Sequence, residues 1–380
     1  MNSAPPWLHR LLLGTGVLFT VVFLVALPAG SQAVAPQMLV GSAICLALAA
    51  STGRGKLREM AFTIWIVAGV VLGMVFHASL IEFPPWFFGL GETRLTVLII
   101  PLLQIIMFAM GTTLSVADFA RVLKMPGGVL IGLACQFTIM PLVGFALAHT
   151  FGLLPEIAAG LILVGASPSG LASNVMAFIA RANVAMSVTL TALATLLSPL
   201  ITPVLMKALA GEMVEINVGA MMWDMAQIVL VPVIAGLVFH HLLIHRWKSL
   251  ERIMPSISMV GILVLTVVTV APGHDKIIDV GLILVLACFI HCTAGFALGY
   301  AVCKMLRLDP ITCRTIAIEV GMQNSGLAAG LATKLGKVAT LGLAPIVFGP
   351  IMNVTASMLA NWWRTHPAKP DDRQSADHDP

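Results

Sequence analysis

Apolar runs long enough to cross a lipid bilayer follow one another along most of the chain, separated by short polar connections. Each run predicts one spanning helix, so the expected fold class is an all-α polytopic membrane protein. Two runs, 155–181 and 309–336, are interrupted near their centres by glycine, proline, serine and asparagine, which predicts broken helices. The twelve runs are 10–29, 33–50, 60–80, 95–115, 127–150, 155–181, 183–207, 220–245, 254–272, 277–303, 309–336 and 338–363.

The density of basic residues alternates between successive connections. If every run crosses the membrane once, sixteen of the 21 lysines and arginines fall on one side. By the positive-inside rule that side is cytoplasmic. The pattern therefore predicts a multi-pass protein of the plasma (inner) membrane with both termini in the cytoplasm.

The first two runs predict an N-terminal transmembrane hairpin, residues 1–55. The alternative is a signal peptide, because Ser31-Gln32-Ala33 offers a small-residue cleavage site. The apolar run is long for a signal, and cleavage would leave an odd number of spans, against the charge pattern. A retained hairpin is the expectation.

Composition agrees with a membrane protein and excludes several other classes. The chain has 380 residues, 59% hydrophobic and 10% charged, with a mean hydropathy of +0.99, which excludes an ordinary soluble domain. The sequence contains no basic patch interleaved with aromatic residues, so nucleic-acid binding is not expected. The six cysteines lie in or beside apolar stretches and are expected to be buried, reduced thiols. No hydrolase or metalloprotease motif is present, so an enzyme is not expected.

Two short matches suggest an internal repeat. The string GFAL occurs at 144–147 and again at 295–298, and SGLA occurs at 169–172 and again at 325–328. The offsets nearly agree, and five spans per half require opposite orientations, which is typical of secondary transporters. The predicted organisation is two inverted five-helix repeats, 56–210 and 215–363, followed by a disordered cytoplasmic tail, 364–380.

Glu319 is the most informative single residue, because it lies about ten residues into the second interrupted run. A helix starting near Asp309-Pro310 carries it roughly 15 Å into the membrane. A charge at that depth costs about 2.5 kcal/mol or more and is by default a functional-site hypothesis.

Oxygen-bearing side chains accompany the first break. Ser173 and Asn174 follow it, and Ser187, Thr191 and Thr195 form a stripe at i, i+4 and i+8 in the next run. One carboxylate with hydroxyls, amides and carbonyls suits a monovalent cation. The alternative for the stripe is hydroxyls that bond back to their own helix.

Three motifs resemble the bile acid:sodium symporter family: MFAMGTTL at 107–114, VGASPSGLASN at 164–174 and EVGMQNSGLA at 319–328. The likeness covers about residues 60–363, in order. The resemblance implies ten family helices, with a panel domain (helices 1, 2, 6 and 7) and a core domain of crossing broken helices. It also implies two sodium sites behind the crossing, Na⁺ being the only cofactor expected.

By that resemblance, motif positions correspond to sodium ligands. One site is implied at Ser173, Asn174, Ser187, Thr191 and Glu319. The other is implied at Gln136, Glu319, Gln323 and the carbonyls of Val320 and Met322. Two sodium ions at one shared carboxylate leave a net positive charge that an anionic substrate could balance.

The chain departs from the family around the expected substrate cavity. Family members often carry Gly-Gly-Thr where this chain has Ser169, Gly170 and Leu171, and an imidazole where it has Met352. Asn324 and Asn353 remain as donors to a carboxylate. The ion site is expected to be retained.

The leading hypothesis is a sodium-coupled secondary active transporter of an organic anion, expected to be a carboxylate, working by alternating access. Its partners would be this small anion and the lipid bilayer, with no nucleic acid; the sequence leaves the oligomeric state open. One alternative is a proton-coupled or exporting transporter in which Glu319 titrates. Another is a membrane-embedded sensor or enzyme.

Overall fold

A computed structural model describes residues 6–26, 35–53, 61–81, 95–115, 125–243, 248–271 and 274–366. The proposed cleavage site at residues 31–33 lies outside these residues. So do the tail after residue 366 and several basic residues that the charge pattern predicts to be cytoplasmic: Arg54, Lys56, Arg58, Arg121, Lys124 and Arg246.

The chain forms two compact units. The first comprises Met1–Ile99 with Met259–Asp275, and the second Ile100–Ser258 with Lys276–Pro380. The division into the four sequence ranges given above stays a prediction.

The first unit begins with two packed helices, α1 (Pro6–Ala26) and α2 (Ala35–Thr52). They run antiparallel, since Gly16 faces Leu46 and Gly41 faces Phe19. A hydrogen bond of 2.6 Å between the hydroxyls of Thr20 and Ser42 joins them. Then come α3 (Ala61–Val75), α4 (His77–Ile81) and a 3₁₀ turn (Leu95–Leu98).

The second unit holds most of the remaining helices. In chain order they are α5 (Ile99–Thr112), α6 (Pro126–Thr150), α7 (Pro155–Ala166), α8 (Ala172–Ile179), α9 (Val184–Ala210), α10 (Val218–Met225), α11 (Val231–Leu243), α12 (Lys248–Val270), α13 (His274–Met305), α14 (Pro310–Gly321), α15 (Ser325–Lys334) and α16 (Leu343–Thr365), with a π-helical turn (Ala226–Leu230) between α10 and α11. The end of α12 and the start of α13 belong to the first unit.

All the named secondary-structure elements of the described residues are helices, apart from one isolated antiparallel bridge, which confirms the predicted all-α class. Five helices of this described part are long and apolar enough to cross a membrane. They are Pro126–Thr150, Val184–Ala210, Val218–Leu242, Gly281–Met305 and Leu343–Thr365. The cysteines are free thiols, and all except the half-buried Cys45 are buried.

Both predicted helix breaks are observed. The run 155–181 divides into α7 and α8, and the run 309–336 into α14 and α15. We call residues 167–171 the first linker and residues 322–324 the second linker.

A hydrogen bond joins the amino end of α9 to the middle of α14, which brings their polar residues to the same level. The backbone N–H of Asn183 donates to the hydroxyl of Thr315 at 2.9 Å. One helical turn further along each chain segment lie Ser187 and Glu319. Ser187 shares a helix face with Asn183, and Glu319 shares one with Thr315. Because Asn183 and Thr315 are in contact, Ser187 and Glu319 also face each other.

The start of α14 is fixed by Asp309, whose carboxylate accepts from the N–H groups of Ile311 and Thr312 at 3.0 Å each. We expect Asp309→Ala to destabilise the fold by about 1 kcal/mol, since an N-cap is lost. Asp309→Asn is the matched control, because asparagine caps equally well. Thermal unfolding in detergent compares the three proteins; equal melting temperatures for Asp309→Ala and wild type would contradict the capping role.

Candidate functional site

The two linkers lie against each other and run antiparallel, with Ser169 bridged to Gln323. The N–H of Asn324 donates to the carbonyl of Pro168 at 2.7 Å, and the N–H of Gly170 donates to the carbonyl of Met322 at 3.4 Å. A helix end leaves backbone groups without partners. Each linker supplies partners to the other, so non-helical backbone is tolerated at this depth.

Local sequence explains where the helices stop. Pro168 lacks an N–H group and cannot continue α7. Gly170 approaches the second linker closely, because a Cβ there would lie 3.3 Å from the carbonyl oxygen of Gln323. Asn324 starts α15 by accepting from the N–H of Leu327 at 3.0 Å.

Glu319 lies in the last turn of α14 and is 2% exposed. Three hydroxyls donate to its carboxylate. Ser187 reaches Oε1 at 2.5 Å, while Ser169 and Thr191 reach Oε2 at 2.6 and 2.8 Å. These donors come from the first linker and from α9, so a buried charge is stabilised by two separate elements.

Asn174, at the start of α8, supplies a competing acceptor. Its Oδ1 lies 2.8 Å from the Ser187 hydroxyl and 3.3 Å from that of Thr191. Each hydroxyl has one proton, so neither can donate to Asn174 and Glu319 at once. The cluster therefore holds more acceptor lone pairs than protons, which is the condition a cation satisfies.

Ser173 completes this group of oxygens. Its hydroxyl donates to the carbonyl of Gly170 at 2.8 Å and lies 3.3 Å from the Thr191 hydroxyl. We call the side-chain oxygens of Ser173, Asn174, Ser187, Thr191 and Glu319 the first oxygen cluster. The structure brings all five of these predicted residues together.

The polar stripe on α9 contains both kinds of hydroxyl that were considered, those that could bind a cation and those that bond back to their own helix. Thr195 bonds back to the carbonyl of Thr191 at 2.7 Å, as a structural hydroxyl does. Ser187 and Thr191 donate to Glu319 instead.

A second oxygen cluster surrounds Gln136, which is 2% exposed on α6. Its Nε2 donates to the carbonyl of Ser167 at 3.0 Å and to Oε1 of Gln323 at 2.7 Å. Gln323 in turn donates to the carbonyl of Val320 at 2.6 Å. The Oε1 of Gln136 is buried and has no hydrogen-bond partner, which is unusual for a polar atom. With the carbonyl of Met322, these oxygens could hold a cation.

Four of the five predicted substrate residues lie in the linkers, and the fifth, Asn353, lies on α16. Leu171 is half-buried at the start of α8, next to Gly170. Asn353 on α16 donates to the carbonyl of Gly349 at 2.8 Å, and its Oδ1 is buried without a partner. The side chain of Asn324 is engaged as an N-cap, and Ser169 donates to Glu319.

Comparison with known proteins gives consistent results. The family model described as "Sodium Bile acid symporter family" matches residues 100–280. The chain is 38% identical to the "Uncharacterized sodium-dependent transporter YocS" of Bacillus subtilis (strain 168), over 80% of this chain and 90% of that one. It is 33% identical to "Probable sodium/metabolite cotransporter BASS1, chloroplastic" of Arabidopsis thaliana, over 82% and 75% of the two chains. It is 28% identical to the ileal sodium/bile acid cotransporter of Mus musculus, over 73% and 81%.

The relatives are transporters and not enzymes, and the similarity extends over most of each chain. Five helices of the described residues are long and apolar enough to cross a membrane, and within the same residues the buried carboxylate of Glu319 is surrounded by oxygens. The chain belongs to the sodium bile acid symporter family of sodium-dependent membrane transporters.

Proposed function

We propose that the protein is a symporter that uses the sodium gradient to import an organic anion, specifically a carboxylate, by alternating access. The observation that carries the proposal is the position of Glu319. It lies buried among side-chain oxygens where two broken helices meet.

The first oxygen cluster is proposed as one sodium site. Its members are neutral apart from a single carboxylate, so a monovalent cation neutralises the site and a divalent one would leave it positive. Hydroxyls and an amide oxygen supply the remaining ligands. The surplus of acceptor lone pairs around Asn174 supports this assignment.

The second oxygen cluster, together with Glu319, is proposed as the other sodium site. Its support is the unpartnered Oε1 of Gln136, a buried acceptor for which a cation is a suitable partner. The Nε2 of Gln136 already donates twice, to the carbonyl of Ser167 and to Oε1 of Gln323, and the Nε2 of Gln323 donates to the carbonyl of Val320.

The organic anion is proposed to bind beside the linkers, where α8 and α15 begin. The amino end of a helix carries a partial positive charge and free N–H groups. Two sodium ions bound to one carboxylate add one further positive charge, which favours an anion. Its contacts would be Ser169, Gly170, Leu171, Asn324 and Asn353. The unpartnered Oδ1 of Asn353 is an acceptor, so it would meet a hydroxyl or N–H of the substrate and not its carboxylate.

Contacts between equivalent residues support two inverted repeats. His291 Nε2 bonds to the carbonyl of Met140 at 2.9 Å, and these residues are 151 apart, the offset of the GFAL strings. Pro168 and Asn324 also touch, and they are separated by the offset of the SGLA strings. Equivalent residues meet only near a symmetry axis, and an antiparallel bridge between the linkers agrees with inversion.

Alternating access would then move a core domain, containing both linkers, against a panel domain formed by the first, second, sixth and seventh family helices. Sodium would favour the state competent for substrate, because an ion that binds one state better shifts the population toward it. With the orientation that the basic residues favour, both termini face the cytoplasm of the inner membrane.

The transport proposal predicts sodium-driven uptake. A set of small carboxylates is first screened by thermal shift in NaCl and in KCl. The best stabiliser is then radiolabelled and offered to proteoliposomes. We expect concentrative uptake under an inward sodium gradient and only equilibration in potassium.

The control for the coupling ion is an inward proton gradient in potassium, which should not drive uptake. Equal uptake with and without the sodium gradient would refute sodium coupling. Uptake driven only by protons would support the proton-coupled alternative instead.

A further inference from the structure

We infer that the hydroxyl oxygen of Ser169 is a sixth ligand of the first sodium site, an inference that rests on the proposed sodium coupling. Ser169 was expected near the organic substrate. Its side chain is 1% exposed and belongs to the oxygens around Glu319.

The spacing of the oxygens is the first argument. The Oγ1 of Thr191 lies 3.4 Å from Oγ of Ser169, 3.3 Å from Oγ of Ser173 and 3.3 Å from Oδ1 of Asn174. A sodium ion takes oxygen ligands at about 2.4 Å, a distance similar to that of calcium. If the ligands occupy the corners of an octahedron, neighbouring oxygens are then about 3.4 Å apart. The three oxygens around Thr191 have the separations of neighbouring ligands on one ion.

The hydroxyl proton is the second argument. Ser169 donates its proton to Oε2 of Glu319 at 2.6 Å, which leaves two lone pairs for a cation. Ser187 and Thr191 have Asn174 as an alternative acceptor. The second acceptor recorded for Ser169 is Thr191 at 3.4 Å, at the limit of a hydrogen bond. Ser169 can therefore hold Glu319 in place and face an ion at the same time.

The backbone of the first linker is the third argument. On one side of Ser169, the carbonyl of Pro168 accepts from Asn324; on the other, the N–H of Gly170 donates to Met322. The Ser169 oxygen is thus positioned before any ion arrives, which lowers the entropic cost of binding. Six side chains from the first linker, α8, α9 and α14 then supply the oxygens of the site.

The test is Ser169→Ala in the full-length protein. Thermal shift and proteoliposome uptake both give the sodium concentration for half-maximal effect. We expect that concentration to rise about tenfold, because a ligand and a charge-assisted hydrogen bond are lost. Discrimination between sodium and lithium should weaken, and Ser169→Thr should restore both properties.

Ser198→Ala is the matched control. Ser198 is fully buried on α9 and donates to the carbonyl of Thr195 in its own helix at 2.9 Å. Each shift is measured against the variant's own ion-free melting temperature, so a general loss of stability is not mistaken for lost affinity. An unchanged half-maximal sodium concentration in Ser169→Ala would overturn the inference while leaving the proposed function intact. A lower half-maximal sodium concentration would also overturn it, because it would show that the Ser169 hydroxyl is only a hydrogen-bond donor to Glu319 and not a sodium ligand. Absence of any sodium effect in wild type would instead reject the proposed function.

Discussion

Replacing Glu319 with glutamine is expected to abolish sodium-dependent stabilisation and sodium-driven uptake. The glutamine has nearly the same shape, but it removes the charge that two proposed ions share. It also places an N–H₂ group where Ser169, Ser187 or Thr191 now donates, so one hydroxyl would lose its acceptor. Removing one partner of a buried charged pair costs about 3–5 kcal/mol, which lowers sodium affinity more than about 100-fold.

The measurement is the melting temperature of purified protein over a series of NaCl concentrations at constant ionic strength with KCl. Glu215→Gln is the control, because this exposed glutamate lies in the connection between α9 and α10. The control should respond to sodium as wild type does. A Glu319→Gln protein that still gained stability from millimolar sodium would refute the role assigned to this carboxylate.

Gly165→Ala is expected to have the second largest effect, by separating α6 from α7. A Cβ on Gly165 would lie 2.4 Å from the carbonyl oxygen of Met140 and 2.7 Å from its carbon. Both atoms are backbone, so no side chain can rotate away. Overpacking of this kind costs about 1–3 kcal/mol or more.

The displacement would reach the second oxygen cluster. Gln136 is one turn before Met140 on α6, and its partner Ser167 is two residues after Gly165. We therefore expect a melting temperature several degrees lower and a weaker response to sodium. Gly281→Ala on α13 is the control, because nothing lies within 4 Å of its added Cβ, and alanine favours a helix. Equal stability of Gly165→Ala and wild type would contradict the close approach of the two helices.

Much of the fold could be predicted because its signals are local. Pro168 and Gly170 interrupt an apolar run, and Gly321 through Asn324 interrupt another, so both breaks were visible in the sequence. Boundaries were less predictable: the run at 338–363 forms a helix only from Leu343. The π-helical turn at Ala226–Leu230 has no composition that distinguishes it from an α-helix.

The membership of the site was harder to predict, because it depends on contacts between distant residues. Ser169 and Glu319 are 150 residues apart, and only the antiparallel meeting of the linkers brings them together. The i, i+4, i+8 stripe could not show that Thr195 bonds to its own helix. Positions four residues apart on a helix are separated by about 6 Å along its axis. Thr195 is therefore too far along α9 from Thr191 to reach the carboxylate that Thr191 contacts.

Direct binding of radioactive sodium to the purified protein tests the central claim, that oxygens around Glu319 at the linker crossing hold sodium. Equilibrium binding in potassium-balanced buffer should be saturable, with two ions per chain in wild type and almost none in Glu319→Gln. Saturable binding that was the same in both proteins, or none in correctly folded wild type, would contradict it.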